Sequence, residues 1–170
     1  ADISEGEKVF SERAGKKIDL GRSKKEKIVT PGGESVKDAD DLQTAGAKEA
    51  IEIYKGLLKK YTLFERNDQV LYQLSRAYEE TGQVDIAMQP LERLISTYPQ
   101  SRHIDEAQFR RAEYFFTRKK YLDAEESYQA VINGGIGSEF YELALYKQGW
   151  SYFKRARYEE AVQDYITMLD

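Results

Sequence analysis

The sequence LYQLSRAY at Leu71–Tyr78 returns twice, as QFRRAEYF at Gln108–Phe115 and as LYKQGWSY at Leu145–Tyr152. The three octets begin 37 residues apart, and an alanine follows each of them at the same distance. These alanines are Ala87, Ala124 and Ala161, and one more step of 37 residues towards the N-terminus reaches Ala50. A constant interval of this length is typical of a helical repeat array.

Within each copy, small and bulky side chains recur at positions that predict two closely crossing helices. The middle of each octet holds a small residue: Ser75, Ala112 or Gly149. Bulky apolar residues follow in the same register, and small side chains allow two helix backbones to approach while large ones fill the remaining space. We therefore expect an all-α fold of antiparallel helix pairs stacked in file.

Position by position, this pattern resembles the tetratricopeptide repeat (TPR), whose usual period is about 34 residues. Ser75 stands at its small position 8, Tyr78 at its aromatic position 11 and Pro99 at its proline position 32. The resemblance covers about 45–170 and implies a right-handed α-solenoid. The chain departs from the usual tryptophan at position 4, which here is Leu71, Gln108 or Leu145.

The long repeat and the sequence Tyr98-Pro99-Gln100-Ser101 are similar to the bacterial envelope members of the family. These include the outer-membrane assembly lipoprotein of the barrel-insertion machine and the Tol-Pal-associated periplasmic coordinator. The resemblance implies a periplasmic or outer-membrane-associated protein in a Gram-negative bacterium, with a cytoplasmic location as the alternative.

The first 44 residues differ from the rest, so the sequence predicts two regions. Residues 1–44 form a polar segment, with a short helix at 3–13 that could pair with the next helix, followed by a flexible insertion. Its run of seven Lys/Arg against two acids at 13–27 is either a mobile linker or a contact with anionic lipid or nucleic acid. The array at 45–170 has a helix at 46–61 and repeats at about 68–104, 105–141 and, truncated, 142–170.

Apolar spacing and helix-end signals predict the individual helices. Asn67 or Asp68 is the expected N-cap of the helix that ends near Thr81, where Gly82 makes the turn, and Ser138 is an expected N-cap later in the chain. The predicted helices are 46–61, 67–81, 84–98, 104–118, 122–132, 138–154 and 158–170.

The composition argues against several classes of function. The net charge of −4 does not favour nucleic acid, the absence of cysteine removes thiolate metal sites, and no apolar run approaches the ~20 residues that span a bilayer. The lone His103 could bind a metal only together with Asp105 and Glu106 beside it, and we interpret it instead as a surface loop histidine. No nucleotide-binding or hydrolase motif occurs. We therefore predict a non-enzyme without metal or cofactor that binds a protein or peptide.

The family resemblance implies a concave groove lined by the first helix of each repeat. Carried over to this chain, the groove is rich in aromatics and carboxylates, which suits an extended or helical segment that carries basic residues. The predicted groove residues are Tyr72, Arg76, Glu79, Phe109, Glu113, Phe116, Tyr146, Trp150 and Phe153. The alternative for Trp150 and Phe153 is packing under a further repeat.

The sequence thus predicts a protein-interaction scaffold, with self-assembly or an accessory region of a larger enzyme as alternatives. The chain begins without Met and ends inside the second helix of a repeat. We therefore expect further repeats, or oligomer contacts, at the C-terminal end.

Overall fold

Seven α-helices make up the part of the chain that the structure describes. The computed structural model describes the backbone of residues 39–170 and the side chains of residues 43–170, and it shows no β-strand there. The helices are α1 (Ala39–Lys60), α2 (Asn67–Glu80), α3 (Val84–Thr97), α4 (Ile104–Thr117), α5 (Tyr121–Gly134), α6 (Tyr141–Lys154) and α7 (Tyr158–Leu169). The predicted helix at 3–13 and the insertion after it lie outside the described residues.

The helices pack mainly against their neighbours along the chain. Three helix pairs, α2–α3, α4–α5 and α6–α7, are joined by the contacts of α3 with α4 and of α5 with α6. Helices that pack in chain order form a solenoid, in which each unit contacts the units beside it. The prediction of helix pairs stacked in file is confirmed.

The core consists of two successive clusters of apolar side chains. The first joins α1, α2 and α3 and includes Ile51, Leu71, Leu74, Leu91 and Leu94. The second joins α4, α5 and the start of α6 and includes Phe109, Ala112, Tyr128, Val131 and Ala144. Because each cluster combines side chains from adjacent helices, burial is shared between repeats along the array.

The small residue of each octet lies where two helices cross. Ser75 and Ala112 are fully buried. A Cβ atom placed on Gly149 would lie 2.6 Å from Cε1 of Tyr165, so any larger side chain there would collide with the ring. Ser75 and Ala112 are thus covered on all sides, and the distance at Gly149 shows that α6 and α7 approach closely.

The turn within each pair uses a left-handed residue at the same repeat position. Gly82 has φ +75°, Lys119 +60° and Ala156 +58°, at intervals of 37 residues. The same backbone hydrogen bond closes each turn: Gln83 N to Tyr78 O (2.8 Å), Lys120 N to Phe115 O (2.9 Å) and Arg157 N to Tyr152 O (2.9 Å). The glycine at the first turn was predicted; the repeat imposes the same conformation on two residues that disfavour it.

Several helix ends differ from the sequence prediction. α1 begins at Ala39 instead of residue 46, so the expected boundary at residue 44 falls inside a helix. α6 begins at Tyr141 instead of Ser138, whose hydroxyl accepts a hydrogen bond from Phe140 N (3.3 Å) in the preceding turn. Asn67 does not cap α2, because its side chain donates to Tyr61 O (2.8 Å) and holds the α1–α2 loop.

Candidate protein-binding surface

The predicted groove residues fall into two groups that differ in what covers them. Those on α2 and α4 lie at the first junction, between the pairs α2–α3 and α4–α5, or at the second junction, between α4–α5 and α6–α7. Those on α6 lie in the last pair. The position of the next repeat decides how much of each side chain remains exposed.

At the first junction, Tyr72 is largely covered by the following repeat. Only 7% of the residue is exposed, its hydroxyl donates to the carboxylate of Glu106 (2.9 Å), and its ring stacks on His103 at 4.1 Å with a 10° interplanar angle. Arg76 Nη1 donates to the same hydroxyl at 3.2 Å. Burial raises the pKa of Tyr72, so the phenol stays protonated and can donate.

Arg110 of α4 completes this junction from the other side. Its Nη2 lies 2.9 Å from Ser75 Oγ and 2.6 Å from a carboxylate oxygen of Glu79. The hydroxyl of Ser75, which is buried from solvent, thereby accepts a hydrogen bond from Arg110, as expected of a buried polar group. Glu79, a predicted groove residue, is therefore already paired with the next repeat, with its side chain 38% exposed.

At the second junction, Phe109 occupies the place that Tyr72 has at the first. It is 6% exposed, stacks on Phe140 with 5.2 Å between ring centroids, and lies 5.8 Å from the ring of Tyr128. Aromatic contacts of this kind add to the free energy of burial. Tyr72 and Phe109 expose little surface, and their role in binding a partner stays a prediction.

Glu113 and Phe116 also contact the repeat that follows them. Glu113 accepts a hydrogen bond from Tyr128 and lies 3.3 Å from Lys147 Nζ. The same ammonium group lies 4.7 Å from the centroid of the Phe116 ring, within the range of a cation–π contact. The second junction therefore engages three of the predicted groove residues.

The last pair carries a continuous set of rings that we call the terminal aromatic cluster. Successive centroids along it are 6.2, 6.5, 5.5 and 5.3 Å apart. In that order its members are Tyr165, Tyr146, Trp150, Phe153 and Tyr158. Tyr158 and Tyr165 lie on the second helix of the pair, and the predicted groove, which is confined to first helices, did not include them.

Exposure distinguishes the cluster from the equivalent residues one repeat earlier. Phe153 and Tyr158 are 39% and 56% exposed, with their rings in edge contact at 5.3 Å. Phe116 and Tyr121, 37 residues earlier, make the same edge contact at 5.5 Å but are only partly exposed, with Lys147 over the Phe116 ring. The same ring pair thus packs inside the array in one repeat and is open in the last.

His103 is the only titratable imidazole of the chain, and it stacks on Tyr72. Burial lowers the pKa of His103, which favours the neutral form. Among residues 39–170, no cluster of His, Cys, Asp or Glu has the arrangement that could hold a metal ion. Over the same residues, every helix is too short or too polar to cross a membrane.

Comparison with known proteins agrees with this architecture. The family model of the tetratricopeptide repeat matches residues 69–101 and 143–168. The fold is a TPR-type α-solenoid. Among solved structures, the crystal structure of MamA matches with a TM-score of 0.58 and 22% identity, over 79% of this chain and 74% of that chain. No curated protein sequence matches the chain.

TPR arrays generally mediate interactions between proteins. The match to two separate stretches of this chain, together with the stacked helix pairs, supports that coarse function. At this level of similarity the likeness to MamA concerns the fold alone.

Proposed function

We propose that this chain is a non-catalytic interaction scaffold that binds a partner polypeptide through the terminal aromatic cluster. The main support for the proposal is that aromatic rings at equivalent repeat positions differ in how much of their surface is exposed. Phe116 lies under Lys147, whereas Phe153 and Tyr158 are 39% and 56% exposed.

The chemistry of the cluster supports recognition of a polypeptide. Tyr and Trp are among the residues that contribute most to binding when a partner buries them. The rings also hold one another in place, since Trp150 contacts both Tyr146 and Phe153. A surface that is fixed before binding loses little conformational entropy when the partner arrives.

A photo-reactive side chain placed at the cluster tests this proposal directly. We expect Phe153 replaced by such a residue to form specific adducts with another polypeptide in cells. The matched control is the same replacement at Ile86 of α3, which is 38% exposed against 39% for Phe153. Equal adducts from both positions, or none from Phe153, would refute the proposed surface.

We further propose that the protein works in the bacterial envelope, as part of an assembly there. The support is the 37-residue period and the Tyr98-Pro99-Gln100-Ser101 sequence, which resemble the pattern of envelope TPR proteins. Subcellular fractionation of the native host tests this, and recovery of the protein in the cytoplasmic fraction alone would refute it.

A further inference from the structure

The loop between α1 and α2, residues 61–66, exposes bulky apolar side chains at the other end of the chain's described part. Leu63 is 96% exposed, Phe64 52% and Tyr61 49%. Isolated apolar residues are normal on a protein surface. Three of them within four positions form a patch of the kind found where a protein or a membrane binds.

Hydrogen bonds hold this loop in one shape. Asn67, which is 1% exposed, donates from its side-chain amide to the carbonyls of Tyr61 (2.8 Å) and Thr62 (3.2 Å). The backbone amide of Phe64 also donates to Tyr61 O (3.2 Å), and that of Asn67 donates to Phe64 O (3.1 Å). The backbone is thus fixed on both sides of Leu63, so the fold itself presents this side chain to the surroundings.

Positive charges flank the apolar residues on both sides. Lys59 and Lys60 end α1, Arg66 precedes α2, and all three are exposed. Glu65 is the one carboxylate among the eight residues from Lys59 to Arg66. Lys60 Nζ lies 5.2 Å from the ring centroid of the tyrosine that follows it, so the charge and the ring share one surface. This short segment is therefore basic, although the chain as a whole has a net charge of −4.

The other two loops between helix pairs lack this combination. The α3–α4 loop exposes Pro99, Gln100 and Arg102, which include one cation and no bulky apolar side chain. The α5–α6 loop exposes Ile136 (87%) close to the carboxylate of Glu139. Among these three described loops, only the one between α1 and α2 joins an apolar tip to a basic surround, so the repeat does not impose the combination.

We propose that the α1–α2 loop is a contact with the surface of an anionic lipid bilayer. Leu63 and Phe64 enter the boundary between head groups and acyl chains, where apolar side chains leave water. Lys59, Lys60 and Arg66 stay at the level of the lipid phosphates, which attract cations. The inference goes beyond the proposed function, because the loop lies outside the terminal aromatic cluster.

Charge complementarity identifies a lipid surface as the occupant. A bilayer of anionic lipids offers hydrocarbon to the apolar tip and negative charge around it, which matches the order of side chains along the loop. Tyrosine beside lysine also suits this boundary, since the tyrosine ring has an apolar body and a polar end. A fixed loop keeps both groups in this arrangement before contact.

A polarity-sensitive dye at the tip of the loop tests insertion directly. The chain contains no cysteine, so Leu63→Cys carries a single label. With vesicles of phosphatidylglycerol and phosphatidylethanolamine, we expect a blue shift of the emission and quenching by a lipid-attached quencher. Ile136→Cys, in the α5–α6 loop, is the matched position at 87% exposure against 96%, and its dye should stay in water.

Sedimentation of the full chain with the same vesicles measures how strongly the apolar tip contributes. Leu63→Glu should lower the partition coefficient at least about tenfold, because it removes the inserted side chain and adds a charge that the lipid repels. Ile136→Glu changes the net charge equally and should lower the partition coefficient less than about twofold. Vesicles of phosphatidylcholine, which carry no net charge, should bind the unaltered chain at least about tenfold more weakly.

A second pair of variants tests the flanking charges. Lys59→Gln with Lys60→Gln should lower partition onto the anionic vesicles at least about fivefold. Lys119→Gln with Lys120→Gln removes two exposed lysines from the α4–α5 turn instead, and the partition coefficient should stay within about twofold of the unaltered chain. All these side chains are exposed, and unaltered thermal melting shows that the variants are folded.

The inference is overturned if the anionic vesicles do not bind, if the dye at residue 63 stays in water on bound protein, or if paired variants have equal effects. The basic run at 13–27 is the same in every variant, so binding through that run alone would give the last of these results. If the vesicles fail and a photo-reactive residue at position 63 forms adducts with a polypeptide in cells, the loop belongs to a protein partner. The adducts expected at Phe153 test the terminal aromatic cluster independently of all these outcomes.

Discussion

The interior junctions and the last helix pair are built from the same repeat positions but expose different surfaces. Tyr72 and Phe109 lie under the repeat that follows them, with 7% and 6% of their surface exposed. On α6 and α7, aromatic side chains of the same register form a cluster with two rings at least 39% exposed. The comparison shows that one residue pattern can serve packing or recognition, depending on whether a neighbouring helix covers it.

The junctions also differ in polarity, which sets what each can accept. The first junction joins its repeats through Glu92–Arg111 and Glu79–Arg110, both at 2.6 Å. At the repeat position of Glu92, the last helix has the apolar Ile166. An apolar side chain at this position gains free energy from burial and forms no ion pair.

The largest expected effect comes from a substitution in the buried interior, which we expect to contribute most of the stability. Leu94→Ala in α3, at a fully buried position, should lower the free energy of unfolding by about 2–5 kcal/mol because it leaves a cavity. Leu169→Ala is the matched change, at a residue of α7 that is 80% exposed, and it should lower the free energy of unfolding by less than about 0.5 kcal/mol. Urea unfolding followed by circular dichroism measures both, and equal losses would contradict the comparison.

The crossing of α6 and α7 gives the next largest effect. Gly149→Ala should lower the free energy of unfolding by about 1–3 kcal/mol, because the new Cβ collides with the ring of Tyr165. Gly56→Ala in α1 is the control, since nothing lies within 4 Å of its added Cβ, and it should raise stability by about 0.5–1 kcal/mol. If both variants gain stability, α6 and α7 do not cross as closely as described here.

In the turn of the last pair, a substitution should raise the free energy of unfolding instead of lowering it. Ala156→Gly should raise the free energy of unfolding by about 1 kcal/mol, because Ala156 has φ +58° and glycine adopts this conformation without steric cost. Thermal melting measures the gain. Gly82→Ala in the first turn, with φ +75°, should lower the free energy of unfolding by a similar amount. No change in either variant would argue against left-handed residues in these turns.

The smallest predicted effect depends on pH. Burial, and then the nearby carboxylate of Glu125, raise the pKa of Asp164 to about 6, and one oxygen of Asp164 is buried without a hydrogen-bond partner. Its equivalent in α5, Ser127, donates to Asp123 O (2.9 Å) and accepts from Arg111 Nη1 (3.0 Å). The last pair thus has an unsatisfied carboxyl where the interior has a satisfied hydroxyl.

Because the folded pKa of Asp164 exceeds the unfolded value of about 3.9, the carboxyl favours the folded state below pH 4, and this stability is lost as the pH rises through about 6. Asp164→Asn should therefore gain at most about 1 kcal/mol over the wild type at pH 7, after allowance for solvent screening of a half-buried group. The gain should vanish near pH 4. Melting curves across this range test the sign, and a gain that grows towards low pH would refute it.

The sequence predicted the repeat, its period and six helices to within about three residues at most ends, because small and bulky residues recur at fixed positions. It misplaced the start of α1 by seven residues, since the polar residues at its start give no periodic signal. It also assigned a cap to Ser138, although the hydroxyl serves the turn before α6 instead.

The candidate site was predicted only in part. Trp150 and Phe153 were placed correctly on the first helix of the last pair, but Tyr158 and Tyr165 of the second helix join the same cluster. Spacing within one helix does not reveal that rings from two helices meet. The signal available in the sequence was the aromatic residue at the same two repeat positions in α5, Tyr121 and Tyr128.

The sequence by itself determined that helix pairs of constant length stack in file, because side-chain volume at fixed spacing is a local property of the chain. Only the tertiary structure decided which aromatic residues are buried, which carboxylates are already paired and where the apolar surface stays open. Those properties depend on the helix that lies next to each residue in space, and residues in identical register have different neighbours at the interior junctions and in the last pair.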